Sequence, residues 1–215
     1  MSEKIRLVAV SGSLHAPSRT DALIDAIVAE FGRQLDVSSR IIRINEIGPS
    51  FAGVLKRSEL PEVAQSALLA IETADVLVVA SPVYRASFTG LFKHLFDFVD
   101  QYALVDTPTL LAATGGSERH ALILEHQFRP LFAFFQALTL PVGVYAHDSD
   151  FTDYVITDAD LTDRITKAVA KALPIIASQL AEREQVERAL AGDSLETGSV
   201  ANSAVHSASL GTVAQ

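Results

Sequence analysis

Residues 5–20 constrain this chain more than any other stretch. Ile5–Val10 is an apolar, β-branched run broken only by Arg6, and it reads as a central parallel strand. Ser11 to Ser18 then forms a small polar loop. After it, Ala22, Leu23, Ala26, Ile27 and Phe31 recur at helical spacing. Ser18 or Thr20 can cap that helix, and Asp21 suits its first turn. A polar loop feeding a helix N-terminus offers backbone N–H groups and hydroxyls to an anion, so a phosphate is the natural guest.

The pattern of strand, loop and helix repeats along the chain. Arg40–Ile44 reads as the second strand, and 45–60 as a surface connection containing Gly48-Pro49 and Gly53. Pro61 opens a helix to about Thr73, and Asp75 precedes a third strand, Val76–Ala80. The loop Ser81–Gly90 leads into a helix over Leu91–Tyr102. Pro108–Ala113 is the fourth strand, followed by Thr114–Ser117 and a long helix near Arg119–Leu138 that Pro130 should kink or interrupt. Val142–Ala146 is the fifth strand. A last amphipathic helix falls within Asp158–Glu187, bent or broken near Pro174. Residues 1–190 are expected to form one domain. Residues 191–215, rich in Gly, Ser, Ala, Thr and Val, read as a flexible tail.

Alternating strands and helices imply right-handed crossovers and a three-layer α/β sandwich. Five parallel strands suggest the flavodoxin-like order 2-1-3-4-5, with helices on both faces of the sheet. The loops after strands one, three and four then lie along one sheet edge. Those are the loops with unusual sequences here.

Composition narrows the chemistry. At 215 residues and 49% hydrophobic the chain can fill a core without staples. It has no cysteine, which excludes disulfides, a thiolate nucleophile and cysteine-ligated metals. A net charge of −9 argues against nucleic acid or anionic membrane as main partner. No apolar run is long enough to span a bilayer, and the start lacks a signal-peptide pattern, so the cytoplasm is the expected address.

In the first loop Ser11, Ser13, Ser18 and Thr20 supply hydroxyls, and Arg19 can add charge-assisted hydrogen bonds. Such residues also serve as ordinary helix caps. The loop has no Gly-x-Gly-x-x-Gly and no Gly-Lys-Ser/Thr, which excludes the dinucleotide and Walker A patterns. It therefore reads as a loop that holds a phosphate without attacking it. In the second loop Pro82 stiffens the turn and Tyr84 offers an aromatic face. In the third, Gly115 and Gly116 let backbone lie close to a planar ligand. Tyr84 could instead merely cover the sheet end, and the third loop could be a plain turn.

Together, Ser11-Gly12-Ser13 with Ser18-Arg19-Thr20, Ser81-Pro82-Val83-Tyr84 and Ala113-Thr114-Gly115-Gly116 resemble the NAD(P)H-dependent FMN reductase family. The run Ala80–Lys93 is especially similar. The resemblance covers Ile5 to about Leu180 and is nearest to the reductases of two-component alkanesulfonate and methanesulfonate monooxygenases, the SsuE and MsuE type. It implies FMN and NADPH or NADH as cofactors, with reduced FMN passed to a partner flavin-dependent monooxygenase. It implies that Ser11, Ser13, Ser18, Arg19 and Thr20 hold the FMN phosphate. Pro82, Val83, Tyr84 and Arg85 would line the ribityl chain and isoalloxazine, and Thr114, Gly115 and Gly116 would lie along the ring. His15 belongs to the phosphate group but departs from the pattern, since many members carry arginine there. A histidine is only partly charged near neutral pH, which leaves the phosphate on Arg19 and neutral donors.

Hydride transfer between nicotinamide and flavin is the cofactors' own chemistry, so no catalytic side chain is expected. The histidines are scattered and make no metal-binding pair, so no metal is expected. His120 could touch flavin or nicotinamide phosphate. The helices holding Phe88, Phe92, Phe96, Phe98, Phe128, Phe132, Phe134 and Phe135 carry more apolar surface than one sheet face needs. Together with the resemblance this points to a homodimer or homotetramer, with His126 at its interface. Two other readings use the same fold. One is a reductase that retains FMN and serves a quinone, azo dye or metal oxyanion. The other is a flavodoxin-type carrier, which the serine-rich loop disfavours.

Overall fold

The computed structural model describes residues 4–206. Strands β1 (Ile5–Ser11), β2 (Val37–Arg43), β3 (Val76–Pro82) and β4 (Pro108–Gly115) pair in parallel in the order β2-β1-β3-β4. β1 is fully buried from Leu7 onward, as its apolar run requires. Its single charge is neutralised at the strand entrance. Arg6 Nε and Nη2 donate to Asp75 Oδ2 and Oδ1 at 3.0 and 2.7 Å, a bidentate pair.

The fifth sheet position differs from the expectation of one strand at Val142–Ala146. Two short strands fill it: β5 (Leu138–Thr139) pairs with Pro108 and Thr109, and β6 (Val144–His147) pairs with Ala112–Gly115. Pro141 between them has no N–H for the ladder. Gly143 lies so close to its neighbours that a Cβ there would be 2.8 Å from Leu124 Cδ1 and 2.9 Å from the Leu111 carbonyl oxygen. The order is otherwise the expected flavodoxin-like 2-1-3-4-5. A small antiparallel hairpin, β7 (Phe151–Thr152) and β8 (Val155–Ile156), follows β6.

Helix α1 (Arg19–Gln34) begins as expected. Ser18 is its extended N-cap, and its hydroxyl accepts from the Thr20 and Asp21 amides at 3.1 and 3.4 Å. The stretch expected to be a surface connection instead contains α2 (Ile44–Phe51). Ile44, Gly48 and Phe51 form its buried stripe, and Gly48 admits Leu91 of a neighbouring helix, whose Cδ1 would lie 3.0 Å from a Cβ there. Helix α3 (Glu62–Glu72) follows Pro61, and α4 (Gly90–Phe96) is shorter than expected. The expected long helix at 119–138 is broken. A π-helical turn, Leu124–Phe128, runs into α5 (Arg129–Phe134), and Arg129 N–H reaches back five residues to the Leu124 carbonyl. Pro130 lies in the first turn of α5, directly after the π turn, and supplies no N–H to the ladder, in line with the interruption expected there.

Helix α6 starts at Ala159 and runs to His206, passing through Pro174 without a break and beyond the expected Glu187 limit. The chain divides into two units, Met1–Ile176 and Ala177–Gln215. The first holds the sheet and its core. The second is helical as far as His206, so the first part of the stretch expected to be a flexible tail is helix; positions 207–215 lie outside the described residues. Among the described residues no helix is long and apolar enough to cross a membrane.

Six of the eight phenylalanines expected to overfill the helices are buried within the protomer: Phe92, Phe96, Phe98, Phe128, Phe132 and Phe135. Phe88 packs edge-on to Phe128, with ring centroids 5.5 Å apart. Only Phe134 is left outside, 60% exposed.

Candidate functional site

The loops after β1, β3 and β4 meet at the C-terminal edge of the sheet, where β1 and β4 flank β3. Direct bonds join them. The Gly12 amide donates to the Ala80 carbonyl at 2.7 Å, and the Val83 amide to the Thr114 carbonyl at 2.8 Å. The Thr89 hydroxyl donates to the Gly12 carbonyl at 2.8 Å, while the Thr89 amide donates to Ser81 Oγ at 3.1 Å. The buried hydroxyls of Thr20 and Thr114 lie 2.7 Å apart and tie the first loop to the third.

Within the first loop the hydroxyls divide their work. Ser11 is fully buried and donates to Asp21 Oδ1 at 2.5 Å, and Asn45 Nδ2 holds the other Asp21 oxygen at 3.0 Å. Ser11 therefore braces the loop from beneath. Ser13 Oγ donates to the His15 carbonyl at 3.0 Å and accepts the His15 amide at 3.4 Å, closing a tight turn. Among the described residues the amides of Leu14, Ala16, Ser18 and Arg19 donate to no protein acceptor. Those of Ser18 and Arg19 stand at the entrance of α1, and those of Leu14 and Ala16 in the loop before it. The His15 side chain is exposed.

Arg19 also lies on the surface of this loop. Its Nη1 is 3.1 Å from Asp148 Oδ1, and its guanidinium lies 5.9 Å from the centre of the Tyr154 ring. Asp148 follows β6, and Tyr154 stands at the tip of the β7–β8 hairpin. Neither was singled out in the sequence. The available signal was the place of Asp148 just past the fifth strand, on the same sheet edge as the other loops.

The second loop closes with a two-residue turn. Arg85 and Ala86 both have positive φ, 49° and 65°. The turn is pinned by reciprocal Tyr84–Ser87 backbone bonds of 2.8 and 3.0 Å. Non-glycine residues in this region cost about 1–2 kcal/mol each, so the loop holds a fixed, strained shape that leaves Tyr84 and Arg85 exposed. Pro82 and Val83 are half-buried beneath them.

In the third loop the glycines act through space. No described glycine has positive φ. A Cβ at Gly115 would collide with the Tyr145 hydroxyl, which donates to the Ser117 carbonyl at 2.7 Å. Burial raises the Tyr145 pKa, and the nearby acids Asp148 and Asp150 add to that, so the hydroxyl stays a donor. A Cβ at Gly116 would lie 3.4 Å from Asp148 Oδ2. His120 and His126 are both exposed, and no group of metal-ligating side chains occurs among the described residues. A groove of about 830 Å³ at Arg57, Glu62, Gln65 and Leu69 includes no residue of the three loops.

This edge therefore collects hydroxyls, unpaired amides and one guanidinium at a helix entrance, with an exposed aromatic beside them. The pattern of the NADPH-dependent FMN reductases matches residues 5–152. The chain belongs to this family. It is 52% identical over 180 residues to the NADH-dependent FMN reductase SfnF of Pseudomonas fluorescens, covering 84% of this chain and 96% of that protein. It is 52% identical over 175 residues to an FMN reductase (NADPH) of Pseudomonas aeruginosa, covering 81% and 94%. An oxidoreductase from Corynebacterium diphtheriae superposes with a TM-score of 0.70 at 33% identity, covering 82% of this chain and 99% of that one. This FMN reductase is thus an NAD(P)H:FMN oxidoreductase on a flavodoxin-like fold, with FMN and a nicotinamide as its cofactors. The donor set fits the flavin's phosphate: it offers neutral hydrogen-bond donors and a cation, and the nearby carboxylates are engaged, Asp21 by Ser11 and Asn45 and Asp148 by Arg19.

Proposed function

We propose that this FMN reductase binds flavin as an exchangeable substrate and delivers reduced FMN to a flavin-dependent monooxygenase acting on sulfonates. The observation that carries this reading is the open rim of the site. Arg19, Tyr84, Arg85 and Gly116 are all exposed, so a flavin resting on them can enter and leave.

The amides of Leu14, Ala16, Ser18 and Arg19, with the Ser18 hydroxyl, the Arg19 guanidinium and one of the paired hydroxyls of Thr20 and Thr114, hold the phosphate, while Ser11 and Ser13 brace the loop. His15 stands exposed beside these donors. Pro82, Val83, Tyr84 and Arg85 border the ribityl chain and ring on one side, and Thr114–Gly116 on the other. The hydride-accepting chemistry is supplied by the flavin when it is bound. The protein's own task is to hold the two rings in register and exclude competing geometry, which requires no side-chain acid or base.

With purified protein, NAD(P)H oxidation should saturate with added free FMN. Coupled to a flavin-dependent sulfonate monooxygenase, the reaction should release sulfite. Activity indifferent to free FMN but dependent on a quinone, azo dye or metal oxyanion would replace this reading with a flavin-retaining reductase. An inability to oxidise NAD(P)H would point to a carrier.

A second copy of the chain covers Phe134 in this reading. The exposed ring borders a groove of about 490 Å³ that Phe96, Val99, Leu131 and Phe135 also line, and exposed Leu122 and His126 lie on the preceding turns. Light scattering should give a dimer or tetramer, and Phe134→Glu should shift it toward monomer. A monomeric parent protein would reject the assignment.

A further inference from the structure

Arg19 is the side chain on which the proposed phosphate site depends for charge, yet it is held by an acid. Asp148 Oδ1 lies 3.1 Å from Arg19 Nη1, and Asp148 Oδ2 lies beside Gly116, 3.4 Å from where its Cβ would be. The carboxylate thus stands between the first and third loops, at the mouth both of them form.

Its position is built in. Asp148 begins a short 3-10 turn, Asp148–Asp150. The His147 ring Nδ1 accepts the Ser149 amide at 3.1 Å, and buried Asp150 accepts the His147 amide at 3.0 Å. Asp150 also takes Arg164 Nη2 of α6 at 2.7 Å, and its carbonyl accepts the Thr157 and Asp158 amides at 3.0 and 3.2 Å. The turn is therefore fixed from both ends. Arg19, by contrast, has a long side chain that is 42% exposed and can change partner.

We infer that Asp148 competes with the flavin phosphate for Arg19 and thereby sets how readily FMN leaves. This rests on the phosphate reading given above. Binding of a phosphate dianion at Arg19 must loosen the ion pair and bring a second negative group near Asp148. The pair is half-exposed, so the penalty is moderate. A moderate penalty suits a protein whose product must be released to another enzyme.

The test is an FMN and riboflavin titration of the parent protein, Asp148→Asn, Arg19→Ala and the double variant. Asp148→Asn should bind FMN about three- to fivefold more tightly at about 0.01 M ionic strength. The gain should shrink at about 1 M, where the screening length is roughly 3 Å. Riboflavin, which lacks the phosphate, should bind unchanged, and that also reports an intact fold. In the Arg19→Ala background the gain should largely vanish. Unchanged or weaker FMN binding by Asp148→Asn would overturn the inference. So would a full gain without Arg19, because direct repulsion would then explain it, or an equal gain for riboflavin. If Arg19→Ala alone leaves FMN affinity intact, the phosphate reading itself falls. If that variant binds FMN weakly but Asp148→Asn has no effect, only the competition falls.

Discussion

Gly12→Ala is expected to lower the melting temperature by about 4–8 °C and weaken FMN binding at least about tenfold. A Cβ at Gly12 would lie 2.8 Å from both Ser81 Cβ and Ser81 Oγ and 2.9 Å from Phe92 Cδ2. None of these can step aside freely. Ser81 and Phe92 are fully buried, and Ser81 Oγ receives the Thr89 amide that helps fix the loop after β3. The Gly12 carbonyl also accepts the Thr89 hydroxyl, so a shift of Gly12 loosens the first two loops together. Overpacking of this kind costs about 2 kcal/mol, and a chain of this size loses roughly 2–4 °C for each kcal/mol. Gly32→Ala is the contrast. Nothing lies within 4 Å of its Cβ position, and in α1 the change should stabilise slightly. Calorimetry and an FMN titration on both variants read the difference. A Gly12→Ala protein with parental melting temperature and affinity would refute the close-packing argument.

The order of strands was legible because a buried parallel strand has to be apolar throughout. β1, β3 and β4 announce themselves by mostly apolar runs, and the one charged residue among them, Arg6, is answered by Asp75 across the sheet. Where local signals conflicted with packing, packing prevailed. Gly48-Pro49 looks like a chain breaker, yet Ile44, Gly48 and Phe51 bury one stripe of α2 because Gly48 lets Leu91 approach. The helical spacing of 119–138 conceals a π turn, since apolar periodicity cannot register one extra residue before Pro130.

The site was legible as three loops, and less so as a set of contacts. Each loop follows a strand whose place was deducible, so their convergence follows from topology. What each glycine does was not deducible. Close approach to a planar ligand is the expectation for Gly115 and Gly116, and the positive φ angles near the site belong to Arg85, Ala86, Asp153 and Tyr154. Gly12 and Gly115 are instead required by Ser81 and Tyr145, partners 69 and 30 positions away in the chain. The pairing of Arg19 with Asp148 is equally remote, and no local pattern announces it.

Arg19→Ala is expected to raise the FMN dissociation constant about tenfold to a hundredfold with little effect on stability. A hydrogen bond from a charged donor contributes roughly 1.5–3 kcal/mol when its acceptor is charged, which is that range in affinity. Fold stability should barely change, because the Arg19–Asp148 pair has side chains 42% and 47% exposed, and exposed pairs contribute about 0–1 kcal/mol. The kinetic signature follows from where the residue acts. On the proposed assignment Arg19 meets the phosphate end, far from any bond that changes, so KM for FMN should rise while kcat at saturating FMN is kept. Arg19→Lys should recover part of the affinity, since it restores charge without the planar fork. A fall in kcat with unchanged KM would move Arg19 from anchoring the phosphate to aligning the rings, and the first loop would lose its assigned role.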